Sequence, residues 1–114
     1  MLPGRDRKPP GFTTPAAALD YEIAQEMASA LGRLGRRLER ALQALAQFDT
    51  GGPADTDPRR RERFALLTEA GEALWLFVVQ REACGLRDSR QLMRDYRVPL
   101  EVQYRMGISR NGRK

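Results

Sequence analysis

PAAALDYEIAQEMASALGRLGRRLERALQALAQF, residues 15–48, decides the fold. Apolar side chains recur there at Leu19, Ile23, Met27, Leu31, Leu34, Leu38, Leu42, Leu45 and Phe48, spaced 4, 4, 4, 3, 4, 4, 3 and 3 apart. Residues three and four apart share one face of an α-helix, so this spacing predicts one long amphipathic helix. Thr14-Pro15 opens it. A threonine caps free amides, and proline suits the first turn because its missing N–H had no partner there. Beside the apolar stripe runs a line of small residues: Ala17, Ala24, Ala28, Gly32 and Gly35. Each glycine costs about 1 kcal/mol of helix propensity relative to alanine. The expected reason is the close approach of another backbone; a kink is the other reading.

Downstream, DTGGPADTD (49–57) is a loop, and Asp57-Pro58 repeats the cap-and-proline device. The following helix, about 58–84, carries Phe64, Leu67, Gly71, Leu74 and Val78 on one face and Leu66, Ala70, Ala73 and Phe77 on another. Every residue from Ala73 to Val79 is apolar. A helix apolar all round is expected to be covered all round, with Trp75 as its largest core piece. Gly85 is the natural C-cap. Two short helices follow, about 89–96 with Leu92 and Met93 inward, and about 99–106. The expected fold is all-α: a small bundle of two long and two short helices over residues 14–107. A disordered arm (1–13) and a basic disordered tail (108–114) flank it.

Composition agrees with a packed, water-facing domain. The chain has 114 residues, 41% hydrophobic and 31% charged, enough to bury a core without disulfides. Its one cysteine, Cys84, excludes an internal disulfide and suits a cytoplasmic location. No targeting segment is visible at the N-terminus. The longest apolar run, seven residues, is far short of the ~20 that span a bilayer, so no membrane role is expected.

The net charge of +5 sits in the ends. Residues 12–104 hold 13 basic and 14 acidic side chains, whereas 105–114 hold Arg105, Arg110, Arg113 and Lys114 with no acid. Attraction to phosphate is therefore mostly a property of the ends. Within the body, Arg59, Arg60, Arg61 and Arg63 crowd the start of the second helix, where the dipole is already positive. Asp49, Asp55, Asp57 and Glu62 are one source of compensation; an anionic partner, protein or nucleic acid, is the other.

Length argues for a second chain. A helix over 15–48 is about 50 Å long at 1.5 Å per residue. A compact domain of this size is about 35 Å across. The stripe must fold back at Gly32/Gly35 or be covered by another molecule. The first half carries acids (Asp20, Glu22, Glu26) and the second half carries mostly bases (Arg33, Arg36, Arg37 and Arg40, with Glu39). Antiparallel copies would set acid against base, although the same layout also complements the helix dipole. A homodimer is expected, its interface built from Leu31, Gly32, Leu34, Gly35, Leu38, Leu42 and Leu45.

Catalytic chemistry finds little to work with. The chain has no histidine, which removes the usual general base and the Glu-x-x-His metal pattern. Glu22 with Glu26 and Glu69 with Glu72 would make a carboxylate-only metal site if they converged. Gly51-Gly52 leads into Pro53, not into a phosphate-loop lysine. Cys84 reads as a buried small residue rather than a nucleophile. The expectation is against an enzyme, with no catalytic residue, metal or cofactor. RQLMRDYRVPLEVQYRMG (90–107) has the outline of a helix-turn-helix. It would offer Glu101, Gln103, Tyr104 and Arg105 to a groove, but Glu101 would face phosphates and the second helix has only about two turns.

Three segments, LDYEIAQEMASALGRLGRRLE (19–39), ALWLFVVQREACGLRDSR (73–90) and YRVPLEVQYRMG (96–107), together resemble an uncharacterised family of short bacterial helical proteins. The resemblance covers about residues 16–107. It implies one helical domain with variable ends and carries over no catalytic or binding residue. The functional expectation is a structural or protein-interaction module that dimerises through the first helix, with an unidentified protein as a further partner. The alternative is a small DNA-binding regulator using 88–107.

Overall fold

A computed structural model describes residues 14–107. The expected arm (1–13) and tail (108–114) lie outside the described residues. Four helices follow in order: α1 (Pro15–Thr50), α2 (Asp57–Ala83), α3 (Ser89–Asp95) and α4 (Leu100–Arg105). The described residues contain no strand. Each boundary lies within two residues of its expected place.

Local chemistry sets these ends. Thr14 Oγ1 accepts the Ala17 N–H at 3.1 Å, and Pro15 occupies the first turn of α1. α1 then runs unbroken through Gly32 and Gly35 for 36 residues, about 54 Å. The cap of α2 is Thr56 rather than Asp57: its hydroxyl accepts the Arg59 N–H at 3.3 Å. Asp57 falls in the first turn, favoured by the dipole, and pairs with Arg60. At the other end, Leu86 N–H reaches Arg81 O at 2.8 Å and Gly85 N–H reaches Glu82 O at 3.0 Å. This is a Schellman closure, with Gly85 at φ +89 where an L side chain is strained. α3 ends the same way, but Arg97 takes the left-handed position, at φ 52. The closure places Val98, bonded to Met93 O at 3.0 Å, in the core, which compensates for the strain.

α1 and α2 form an antiparallel hairpin, and α3 and α4 pack on it. The core joins Leu38, Ala41 and Leu45 of α1 to Leu67, Ala70, Ala73, Leu74, Phe77 and Val78 of α2, closed by Leu92, Val98 and Val102. The expectation that α2 is covered on every side fails. Trp75 and Leu76 are only part-buried, and Val79 is 41% exposed. The reason is that α1 and the short helices reach only part of the circumference of α2. Phe64, expected on the inward stripe, is also exposed.

Two glycines are needed for close approach. A Cβ on Gly35 would lie 2.9 Å from Tyr96 Oη and 3.3 Å from Phe77 Cζ. Those two rings meet edge to face at 5.5 Å between centroids. A Cβ on Gly71 would lie 2.9 Å from the Arg105 carbonyl oxygen, so the end of α4 rests directly on the α2 backbone. Gly32 meets nothing except the flexible end of Arg36.

α1 outruns its partner. In the hairpin Asp49 is level with Arg63, and Gly35 with Phe77. Continuing at equal rise, α2 ends opposite about residue 29 of α1. The first turns of α1, from Pro15 to about Ala28, therefore project beyond the bundle by roughly 20 Å.

Candidate functional site

Among the described residues, no other helix lies against the projecting end of α1. Leu19 is 57% exposed, Ile23 49% and Tyr21 68%. Leu19 and Ile23 continue, at helical spacing, the face that carries Met27, Leu31, Leu34, Leu38 and Leu45 further along. That continuation is closed within the chain. Leu38 and Leu45 are at 0% and 3% exposure, and Gly35 is buried under Tyr96 and Phe77. Leu31, Leu34 and Leu42 are part-buried against the same core. Gly35, Leu38 and Leu45 are thus not the contact surface they were expected to be. α2 covers them, because α1 and α2 run antiparallel from the 51–56 loop and seat the later half of the stripe first.

The arginine cluster is largely satisfied from within. Arg59 donates to the carbonyls of Phe48, Gly52 and Pro53 at 3.2, 3.0 and 3.1 Å, and its guanidinium lies 3.9 Å over the Phe48 ring. It serves as the C-terminal cap of α1, where orphan carbonyls favour a cation. Arg60 pairs with Asp57. Arg63 makes forked contacts to two carboxylates, Asp49 at 2.8 and 3.0 Å and Glu101 at 2.7 and 3.0 Å. One side chain thereby joins the end of α1, the start of α2 and the start of α4. Arg61 has no hydrogen bond or ion pair to any described residue. Of the four arginines, it is the one left to meet an anionic partner.

Electrostatics follow this geometry. Hydrogen bonding from Arg63 holds the Asp49 and Glu101 carboxyls below their ordinary values. Asp49 first, then Glu101, pushes Arg63 upward. Arg37 does the same to Glu69 across α1 and α2 through two 2.8 Å bonds. A carboxylate with a lowered folded pKa adds stability above its unfolded value, and that stability is lost as pH falls through the folded pKa. Stability should thus hold above the ordinary values of 4.5 for Glu69 and Glu101 and 3.8 for Asp49, and decline below them. The carboxylates are about half exposed, which screens the pairs. Arg63→Met is expected to lower stability at pH 7 by about 1–2 kcal/mol. Urea unfolding from pH 7 to 3 should show a shallower acid decline in the variant; parallel pH curves would contradict the assignment.

The helix-turn-helix outline meets a different use of its side chains. Gln103 Nε2 donates to Val98 O at 2.9 Å. Arg105 turns back onto α2, with its guanidinium 4.5 Å over Phe64 and Nη2 donating to Thr68 Oγ1 at 3.2 Å. Glu101 is held by Arg63. Gln103 and Arg105 therefore stabilise the docking of α4 rather than pointing outward as expected. Tyr104, 74% exposed, is the one expected groove contact left free. The four glutamates do not converge either: Glu22 and Glu26 stand exposed on the projecting end, while Glu69 is bound to Arg37. No group of three or more potential ligands suited to a metal occurs among the described residues.

A groove of about 350 Å³ runs between α1 and α4 beside Leu42, Leu45, Ala46, Pro99 and the Arg63 cluster. Across the described residues, no helix is long and apolar enough to cross a membrane.

Over the described residues, these features define an all-helical fold with a two-helix hairpin, a pair of short docking helices and a helical end that projects beyond them. The chain belongs to a family of unknown function, DUF6665, whose model matches residues 10–114. No curated protein and no solved structure matches it.

Contacts between residues far apart in the chain were not legible. Nothing local links Arg63 to Glu101, 38 positions away. The projecting end did leave a signal. The two expected long helices, 15–48 and 58–84, differ in length, so one had to outrun the other.

Proposed function

We propose that the protein is a non-enzymatic interaction module that forms a homodimer through the projecting end of α1. The observation that carries this reading is the half-exposed pair Leu19 and Ile23, on the helix face whose continuation is core. An apolar helical stripe in water favours a covering partner. Charge supports a second, antiparallel copy. Asp20 and Glu22 make no ion pair with described residues, and Arg36 and Arg40 further along the same helix make none either. Two copies running in opposite directions set these groups against each other. The Arg33–Glu26 contact at 3.3 Å is exposed on both sides and readily exchanged for an intermolecular one. An unidentified protein offering a similar helix is the further partner this surface suits. A cytoplasmic location goes with the reading, since it keeps Cys84 a free thiol.

Light scattering over a range of concentrations tests it. The wild-type chain should approach twice its 12.9 kDa mass. The Leu19→Glu/Ile23→Glu variant should stay at the monomer mass with unchanged helicity and melting, because neither side chain belongs to the core. A wild-type monomer at every concentration overturns the dimer. A variant that still dimerises overturns the surface.

A further inference from the structure

The projecting end of α1 is an apolar pair edged by acids. Glu22 and Glu26 stand three positions after Leu19 and Ile23, so they lie along the flank of that pair. Residues 14–28 hold Asp20, Glu22 and Glu26 and no base.

A surface of matching layout lies on the open side of the hairpin, where Arg37 of α1 binds Glu69 of α2. Along α2, Glu72, Leu76 and Val79 follow Glu69 at spacings of 3, 4 and 3, which keeps them on the same side of the helix. Leu76 is part-buried yet stands outside the core and the residues packed on it, and Val79 is 41% exposed. The short helices take another flank: α4 rests on Gly71, and Tyr96 meets Gly35 and Phe77. Along α1, Arg33, Arg36 and Arg40 surround Arg37, while Glu39 lies on the other side, beside Tyr96. The acids of the open side are answered within the chain. Glu69 and Glu72 both act on Arg37, and Arg40 acts on Glu69 as well. Arg36 has no ion pair with a described residue, and Arg33 has only its exposed contact with Glu26. The result is an apolar pair edged by arginines.

One register satisfies both features. From the pairings of Asp49 with Arg63 and Gly35 with Phe77, Leu76 is level with about residue 36 of α1 and Val79 with about residue 33. In a second copy running the other way, setting Leu19 over Leu76 also sets Ile23 over Val79. The same step brings Asp20 level with Arg36 and Glu22 level with Arg33. The apolar residues alone fix this offset, and the opposite charges then fall together. We infer that the Leu76–Val79 face of α2, edged by Arg33 and Arg36, is the seat for the projecting α1 end of a second copy. That seat presupposes the homodimer proposed above and adds the surface that receives it. A two-fold axis repeats the contact, so each end lies along the α1–α2 hairpin of the other copy.

Cysteine cross-linking reads the contact. One chain carries Ile23→Cys/Cys84→Ser, the other Val79→Cys/Cys84→Ser. Mild oxidation of an equimolar mixture should give a covalent heterodimer on a non-reducing gel, because a disulfide needs Cα atoms about 4.4–6.8 Å apart. Either chain alone should link only in traces, since like positions are more than about 10 Å apart along the helix axis. By light scattering, Val79→Glu should weaken self-association about tenfold or more at unchanged helicity, as for the loss of one central contact. If Val79→Glu fails to fold, the cross-link gives the answer. A wild type that dimerises while the mixture does not link overturns the seat and leaves the dimer standing. So does a Val79→Glu chain that dimerises as well as the wild type when Leu19→Glu/Ile23→Glu does not. A wild-type monomer at every concentration overturns both.

Discussion

A glutamate at Leu38 is expected to unfold the protein, whereas glutamates at Leu19 and Ile23 should leave the fold intact and affect only the self-association proposed above. Leu38 is fully buried between α1 and α2. Deleting a buried leucine side chain costs about 2–5 kcal/mol. Placing a carboxylate in the same apolar position adds the desolvation cost of a buried charge. Together these exceed about 5 kcal/mol, comparable with the whole stability of an ordinary domain. Leu38→Ala, which lacks the charge, should fold with stability reduced by about 3 kcal/mol. Circular dichroism with urea titration separates the cases. A Leu38→Glu chain with wild-type helicity and melting would show that Leu38 does not lie in the core.

Gly71→Leu is expected to be the second most damaging change, acting through one contact. The new Cβ would meet the Arg105 carbonyl oxygen at 2.9 Å and its carbon at 3.1 Å, and backbone cannot swing aside as a side chain does. α4 must lift from α2. That exposes Val102, which is fully buried, and breaks the contacts of Arg105 with Phe64 and Thr68. Overpacking of this kind costs about 3 kcal/mol, reduced by the roughly 1 kcal/mol of helix propensity gained on leaving glycine. A net loss near 2 kcal/mol should appear in urea unfolding, with faster amide exchange in 100–105. Gly32→Ala is the contrasting case. Only the movable end of Arg36 lies near its Cβ, so the helix gain dominates and stability should rise by up to about 1 kcal/mol. Stabilisation by both substitutions would mean that α4 does not rest on Gly71.

Several features were legible from neighbouring residues alone. Thr14-Pro15 placed the start of α1 and Gly85 the close of α2, and at the start of α3 the Asp88 carboxylate accepts the Gln91 N–H at 3.1 Å. Gly35 was expected to lie against another backbone, and it does lie in a tight place, but against side chains. These belong to Tyr96 and Phe77 of the same chain, not to the α1 of a second copy. The reading of Trp75 as the central core piece went wrong for a related reason. Apolar character all round a helix states what it would gain from burial, not which sides its neighbours can reach.

The existence, type, order and ends of the four helices follow from residues no more than about four positions apart, through apolar period, caps, prolines and glycines. Such information survives in a linear sequence because the interactions are themselves local. Which part of the long apolar stripe is core and which is free surface depends on where α2 ends against α1. Whether the arginines at the start of α2 face a partner depends, apart from the local Arg60–Asp57 pair, on carbonyls and carboxylates brought from positions 6 to 38 residues away. Both outcomes belong to the packing of elements against one another, and a stripe of leucines reads the same in sequence whether or not another helix lies across it.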